Sequence, residues 1–336
     1  MKETNAAESS GGLGERDIIE LMRKHFQPMP NIVVPFGDDV SAIRLRENEV
    51  AVLKTDMLVA QTDVPFGMSL WQAARKAIVM NISDFAAKGV VPSVVLVSLG
   101  LPKNLSKSDL AEIADGLNAG AREYGAFVVG GDTGEACDLV IAVQVFGTSN
   151  EESLMLRRGT RVGDILAVTG FFGKSAAGLR YLQYGGVVSE EAREDLVKAV
   201  YMPNARLQES LALRGSKAVT ASIDSSDGLA WCLHELAEKN GVGFLVSTLP
   251  VAEEAVKFAR ENNLDSFELA LYGGEEYELV VTINPQHWAD AEAAVAAVGG
   301  KLYRIGKATS DKRVLLEVEG KKGEIEARGY EHFKNC

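Results

Sequence analysis

Hydrophobic positions along the chain switch between two periods, and each switch marks an element. Val50 to Lys54 and Val94 to Gly100 read as strands flanking a long stretch, Leu70 to Lys88. That stretch is apolar on almost every side, through Ile78, Val79, Met80, Ile82, Phe85, Ala86 and Ala87, as a buried helix is. Ser69 and Gln72 form a capping box at its start, Met68 is placed to staple onto Ala73, and Gly89 stands where a C-terminal glycine belongs. A second helix is predicted from about Ser106 to Tyr124, followed by strands Ala126 to Gly130 and Leu139 to Gly147, joined through a turn at Gly131-Asp132-Thr133-Gly134. After a polar, arginine-bearing boundary at 148–162 come strand Asp164 to Thr169, helices through about Leu213, and strand Ala218 to Ile223. A helix from Asp227 to Asn240, strand Glu278 to Ile283, a helix near 286–298 and two late strands complete the pattern. This alternation places the chain in the α/β (α+β) class. A chain of 336 residues exceeds what one core usually supports, so two domains are expected, 15–150 and 151–336, behind a polar segment 1–14 read as a mobile tail. No fixed-period repeat is present.

Composition narrows the function classes. The formal charge is −12, and Lys and Arg gather on no single segment, which argues against a nucleic-acid binder. Cys137, Cys232 and Cys336 are far apart and form no C-x-x-C pair, so neither a disulfide framework nor a zinc site is indicated, and a cytoplasmic location is expected. No apolar run reaches the length of a membrane span, and residues 1–14 do not read as a signal peptide.

The candidate chemistry lies in scattered acidic motifs: Gly37-Asp38-Asp39, Thr55-Asp56, Asn81-Ile82-Ser83-Asp84, Gly130-Gly131-Asp132-Thr133 and Asp224-Ser225-Ser226-Asp227-Gly228. Buried carboxylates with few basic neighbours in sequence need a compensating cation, and oxygen ligands of this kind suit Mg²⁺ shared with nucleotide phosphates. Asp84 is the sharpest position, because its helix is otherwise apolar; the bland reading is an internal ion pair with Lys88, four residues on. Ser226 or Asp227 would serve as an ordinary N-cap, which leaves Asp224 at the strand end unexplained. Gly-Asp pairs make turns in any protein, so the force of the series lies in its number. Two unit charges about 5 Å apart repel by roughly 3 kcal/mol at an effective dielectric near 20, so several acids meeting at one point require cations. Gly170-Phe171-Phe172-Gly173-Lys174-Ser175 lacks the Walker A spacing, leaving a phosphate-touching nest or a packing turn. The four histidines show no partner pattern. Gly273-Gly274-Glu275-Glu276-Tyr277-Glu278 allows either close backbone approach to a ligand or a solvated turn.

Taken in order, these motifs with Lys54-Thr55-Asp56-Met57-Leu58-Val59, the Gly-Gly-Glu-Glu-Tyr-Glu-Leu run and the late Gly329-Tyr330-Glu331-His332-Phe333 resemble thiamine-monophosphate kinase, of the aminoimidazole-ribonucleotide synthetase-like superfamily. The resemblance spans about residue 15 to the end. It implies an N-terminal α/β domain whose sheet pairs across a homodimer, a C-terminal mixed-sheet α/β domain, and ATP and Mg²⁺ in the cleft between them. It further implies phosphoryl transfer from ATP to thiamine monophosphate. Asp39, Thr55, Asp56, Asp84, Asp132, Asp224 and Asp227 would hold Mg²⁺, with Asp84, Asp132 and Asp227 closest to the chemistry. Gly131, Asp132, Arg157 and Ser226 would contact ATP, and Asp63, Glu275 and Tyr330 would line the thiamine phosphate site. Two positions depart from the pattern: Lys54, where a small hydroxyl is common, and Asp63, where histidine is common. The rivals are aminoimidazole-ribonucleotide synthetase itself, the hydrogenase-maturation dehydratase whose last residue is a cysteine as Cys336 is here, and a nucleotide-binding regulator without turnover. A histidine dyad is not needed, because the acceptor phosphate ionises with a second pKa near 6.

Overall fold

The computed structural model describes residues 14–333; residues 1–13 of the expected tail and Cys336 lie outside that range, while Gly14, its expected last residue, caps the first helix. The N-terminal half runs α1 (Glu15–Arg23), β1 (Ile32–Val34), β2 (Ser41–Arg46), β3 (Glu49–Val59), α2 (Ala60–Asp63), α3 (Leu70–Ala87), β4 (Pro92–Leu101), α4 (Lys107–Glu123), β5 (Phe127–Glu135) and β6 (Val140–Asn150). Its strands form one sheet in the order β1-β2-β3-β6-β4-β5, antiparallel except for β4 and β5. The C-terminal half runs β7 (Ile165–Val168), α5 (Lys174–Tyr184), α6 (Glu190–Tyr201), α7 (Leu207–Ser216), β8 (Val219–Asp224), α8 (Leu229–Asn240), β9 (Gly243–Val246), α9 (Glu253–Glu261), α10 (Ser266–Tyr272), β10 (Leu279–Ile283), α11 (Trp288–Ala297), β11 (Tyr303–Thr309), β12 (Val314–Val318) and β13 (Lys321–Glu324). Its sheet has the order β13-β12-β9-β11-β7-β10-β8.

Local chemistry sets the central helix. The Ser69 hydroxyl accepts from the Gln72 N–H, the Gln72 side chain returns to the Ser69 N–H at 2.9 Å, and Gly89 follows at φ 68°. Ile78, Val79, Ile82 and Phe85 are fully buried, so α3 is enclosed between its own sheet, α4 and the C-terminal half. The α3–α4 approach is close enough to exclude a methyl: a Cβ on Gly116 would lie 2.3 Å from the Trp71 carbonyl oxygen. One hydrophobic core joins α3 and the first sheet to Ile165, Leu213, Val281 and Ile283 of the second half. The two halves are therefore fused along α3.

Three expectations are corrected. Gly131-Asp132-Thr133-Gly134 is strand, not turn: the segment continues β5 and pairs in parallel with β4, Val97 opposite Gly131 and Ser98 opposite Asp132. A chain crossing over through α4 arrives parallel, so the backbone stays extended where a hairpin would have needed a turn. The helix expected from Asp227 begins at Leu229 with Gly228 as its N-cap at φ 114°, so neither Ser226 nor Asp227 is the cap. The end of the chain holds three strands, β11, β12 and β13, where two were expected.

Candidate metal and substrate site

Three buried carboxylates from both halves converge. Asp39 precedes β2, Asp84 lies on the last turns of α3, and Asp224 ends β8; one oxygen from each falls within 4.8 Å of the others. Ser83 ties the halves together here, its hydroxyl donating to Asp224 Oδ2 at 2.6 Å. The acids have basic partners that sequence neighbours did not reveal. Lys88 does not pair with Asp84. Its ammonium crosses to Asp38 Oδ1 at 2.6 Å and Asp39 Oδ2 at 2.7 Å, and donates to the Ser222 carbonyl at 2.8 Å. Arg157 grips Asp39, with Nε 2.8 Å from Oδ1, and also faces Glu235 at 3.4 Å. Lys54 lies 3.1 Å from Asp56 Oδ1 and 3.0 Å from Asp84 Oδ2.

These partners divide the carboxylates electrostatically. Burial pushes the Asp39 pKa up, but Arg157 and then Lys88 more than offset this, so it rests below the ordinary range. Burial holds Asp84 well above it, with Lys54 opposing and Asp224 adding repulsion. Asp224 is pushed up to about 7 by burial and by Asp39, and Asp227 up to about 6 by burial and by Glu15. Lys54 remains an ammonium, since Asp56 and Asp84 outweigh its burial. Asp38, Asp39, Asp56, Asp84 and Asp224 stand against Lys54, Lys88 and Arg157, five acids to three bases, so ionising every acid would leave two negative charges for an external cation to balance.

The same two elements, α3 and the loop after β8, also wall a cavity of about 530 Å³. Asp63 meets Glu275 and Tyr330, each more than 200 positions further on, in its lining, with Ser226, Asp227 and Tyr277 beside them. Met80, Leu179, Leu269 and Tyr272 supply apolar wall. The loop carrying Glu275 is pinned to the carboxylate loop by backbone bonds, Glu275 N–H to the Ser226 carbonyl at 2.6 Å and Tyr277 N–H to the Ser225 carbonyl at 2.8 Å. Tyr330 N–H reaches the Asp227 carbonyl at 3.0 Å. Sequence reasoning missed Lys76, which is 1% exposed and bridges Glu275 Oε1 at 2.6 Å and the Asp63 carbonyl at 3.0 Å. A lysine inside a helix apolar on all sides was the available signal.

Not every expected residue joins the array. Asp56 and Asp84 face each other through Lys54, whereas Thr55 lies on the opposite, outer face of the sheet, within 3.5 Å of Gln144. Gly131 and Asp132 sit on exposed β5, and Asp132 is not among the three acids of the buried triad. Arg157 is committed to Asp39 and Glu235. The glycine-rich turn before α5 is occupied by protein: Glu276 Oε1 accepts from the Gly173 N–H at 2.6 Å and the Ser175 N–H at 3.1 Å.

A two-layered pair of mixed sheets with an acidic, cross-domain cleft defines a protein class. The family models for AIR synthase related protein match it, the N-terminal domain over residues 37–149 and the C-terminal domain over 161–319, so the chain belongs to that family. It is 35% identical over 298 residues to thiamine-monophosphate kinase of Nitrosopumilus maritimus, covering 89% of this chain and 93% of that protein. Identity to thiamine-monophosphate kinase of Pyrococcus horikoshii is 33% over 317 residues, covering 94% and 96%. A solved structure described as AaThiL complexed with AMPPCP and TMP superposes with a TM-score of 0.83 at 27% identity, covering 98% of this chain and all of that one. Within the family, this chain groups with the thiamine-monophosphate kinases.

Proposed function

We propose that the protein transfers the γ-phosphoryl group of ATP to thiamine monophosphate, giving thiamine diphosphate and ADP. The observation that carries this reading is the joining, by α3 and the β8–α8 loop, of a buried oxygen-ligand cluster to a half-apolar cavity with carboxylates at its wall. The donor set fits Mg²⁺: every group is oxygen, and the array has an excess of negative charge that the protein's own cations leave uncompensated. Asp39, Asp84 and Asp224 would hold the ion, with Asp56 and Asp227 lying beside them in the same cleft. Bound Mg²⁺ screens the two polyanions that the reaction brings together. The chain's residues supply position: Ser83 fixes Asp224, and Lys88 and Arg157 fix Asp39. In the cavity, Asp63 and Glu275 face a cationic thiamine ring, and Tyr330 offers its aromatic face. No carboxylate is needed as a base, because the acceptor phosphate is already largely ionised near neutral pH.

A homodimer is part of this reading. Leu53, Met57 and Leu96 are exposed on the sheet face that α3 and α4 leave open, and β5 presents an unpaired edge. No helix among the described residues is long and apolar enough to cross a membrane, and a cytoplasmic setting accords with the reading. The test is ADP release measured with ATP, Mg²⁺ and thiamine monophosphate together and with each omitted. Turnover only with all present is expected. Nucleotide binding without turnover would instead mark a regulator, and turnover with an aminoimidazole precursor would mark the synthetase.

A further inference from the structure

Lys54 occupies a place that the charge pattern would otherwise give to a metal ion. It projects from β3 on the same face as Asp56, two residues on, and its ammonium meets oxygens of two elements, Asp56 Oδ1 at 3.1 Å and Asp84 Oδ2 at 3.0 Å. The Lys54 side chain is 18% exposed and that of Asp84 9%, so this half of the bridge is shielded from water and salt, while Asp56, 36% exposed, closes its outer side. Two carboxylates held apart by a bridging cation are the arrangement of a divalent site, but with the longer reach of an ammonium; Mg²⁺ would draw each oxygen to about 2.0–2.1 Å. Asp84 belongs to two groups at once, the Lys54 bridge and the triad with Asp39 and Asp224. The bridge therefore both neutralises part of the array and orients the acid that the triad shares.

Resting on the metal-assisted kinase reading, we propose that the Lys54 ammonium is a resident cation that fills one position of this carboxylate array, so that the protein binds fewer divalent ions than its acids alone would hold. The Asp56–Asp84 pair then needs no metal, and the divalent requirement falls on the Asp39, Asp84 and Asp224 side.

The experiment counts ions on the full-length protein, using Mn²⁺ as the probe, AMPPCP as the nucleotide, and electron paramagnetic resonance of free Mn²⁺ as the readout. Lys54→Ser opens the position and leaves an oxygen ligand there, whereas Lys54→Arg keeps the charge. Lys54→Ser is expected to bind about one more Mn²⁺ per chain than the unmodified protein, and Lys54→Arg the same number. Equal counts for Lys54→Ser and the unmodified protein, with AMPPCP still bound, overturn the resident-cation proposal alone. Failure of the unmodified protein to bind Mn²⁺ with AMPPCP overturns the kinase reading beneath it. Anomalous diffraction from the unmodified protein with Mn²⁺ and AMPPCP does not depend on how the variants fold. Absence of a peak between Asp56 and Asp84 supports the proposal, and a peak there with Lys54 displaced refutes it.

Discussion

Asp39 and Asp224 contribute oxygens to the same small cluster yet sit in opposite electrostatic states. Asp39 has two cations of the protein against it and titrates below the ordinary range; Asp224 has a hydroxyl from Ser83 and titrates near 7. Burial is common to both, so the partners make the difference. Asp39 comes to the cluster with its charge already balanced by Lys88 and Arg157, while Asp224 is the ligand that gains most from an external charge.

The comparison breaks first at the chemistry. Asp224→Asn should keep the fold and lower kcat by about a thousandfold, roughly 4 kcal/mol, because it removes an ion-binding oxygen from the reacting region. Steady-state kinetics with a Mg²⁺ titration, alongside circular dichroism, checks this; near-normal kcat would reassign Asp224 to structure. Next, Lys88→Met should cost about 3 kcal/mol or more of stability, since it strands Asp38 and Asp39 without their buried partner, and urea unfolding would register it. A loss of under about 1 kcal/mol would mean that Arg157 alone suffices for Asp39. Ser83→Ala should cost about 1–2 kcal/mol and raise the Mg²⁺ concentration needed for half-maximal activity, because Asp224 loses its orienting donor.

The smallest expected effect concerns a carboxylate outside the triad. Burial pushes Glu276 from 4.5 up to about 8 while its Oε1 receives two backbone N–H groups at the start of α5. The folded protein thus keeps a proton that the unfolded chain releases, so this group's contribution to stability declines as pH rises from about 4.5 through about 8. Glu276→Gln keeps an acceptor for both N–H groups and should flatten that decline, leaving the variant the more stable above pH 8. Thermal midpoints at several pH values test it, and an unchanged slope would show that Glu276 is already ionised.

What could be seen in the sequence was local or serial. The Ser69–Gln72 capping box, the buried character of α3 and the ordered acidic motifs each depend on neighbours within a few positions, so side-chain chemistry announces them directly. The pairings that fix the electrostatics are not of that kind. Lys88 reaches back to Asp38 and Asp39, Arg157 closes on an acid 118 residues earlier, and Lys76 meets Glu275 from a different domain. Lys88 also shows how the i,i+4 rule fails inside a protein: the C-terminal half covers the helix end and redirects the ammonium. Gly131-Asp132-Thr133-Gly134 was misread because its residues are turn formers by composition, whereas the parallel strand beside it holds the backbone extended.

The core shared by α3, Ile165, Val281 and Ile283 limits how substrates can enter. Swinging the halves apart would expose that continuous apolar seam to water, a cost no single nucleotide-binding event repays. Substrates therefore meet a cleft whose floor does not hinge and whose wall segments, the Gly273–Gly274 loop and the stretch around Tyr330, are tied to the same carboxylate loop.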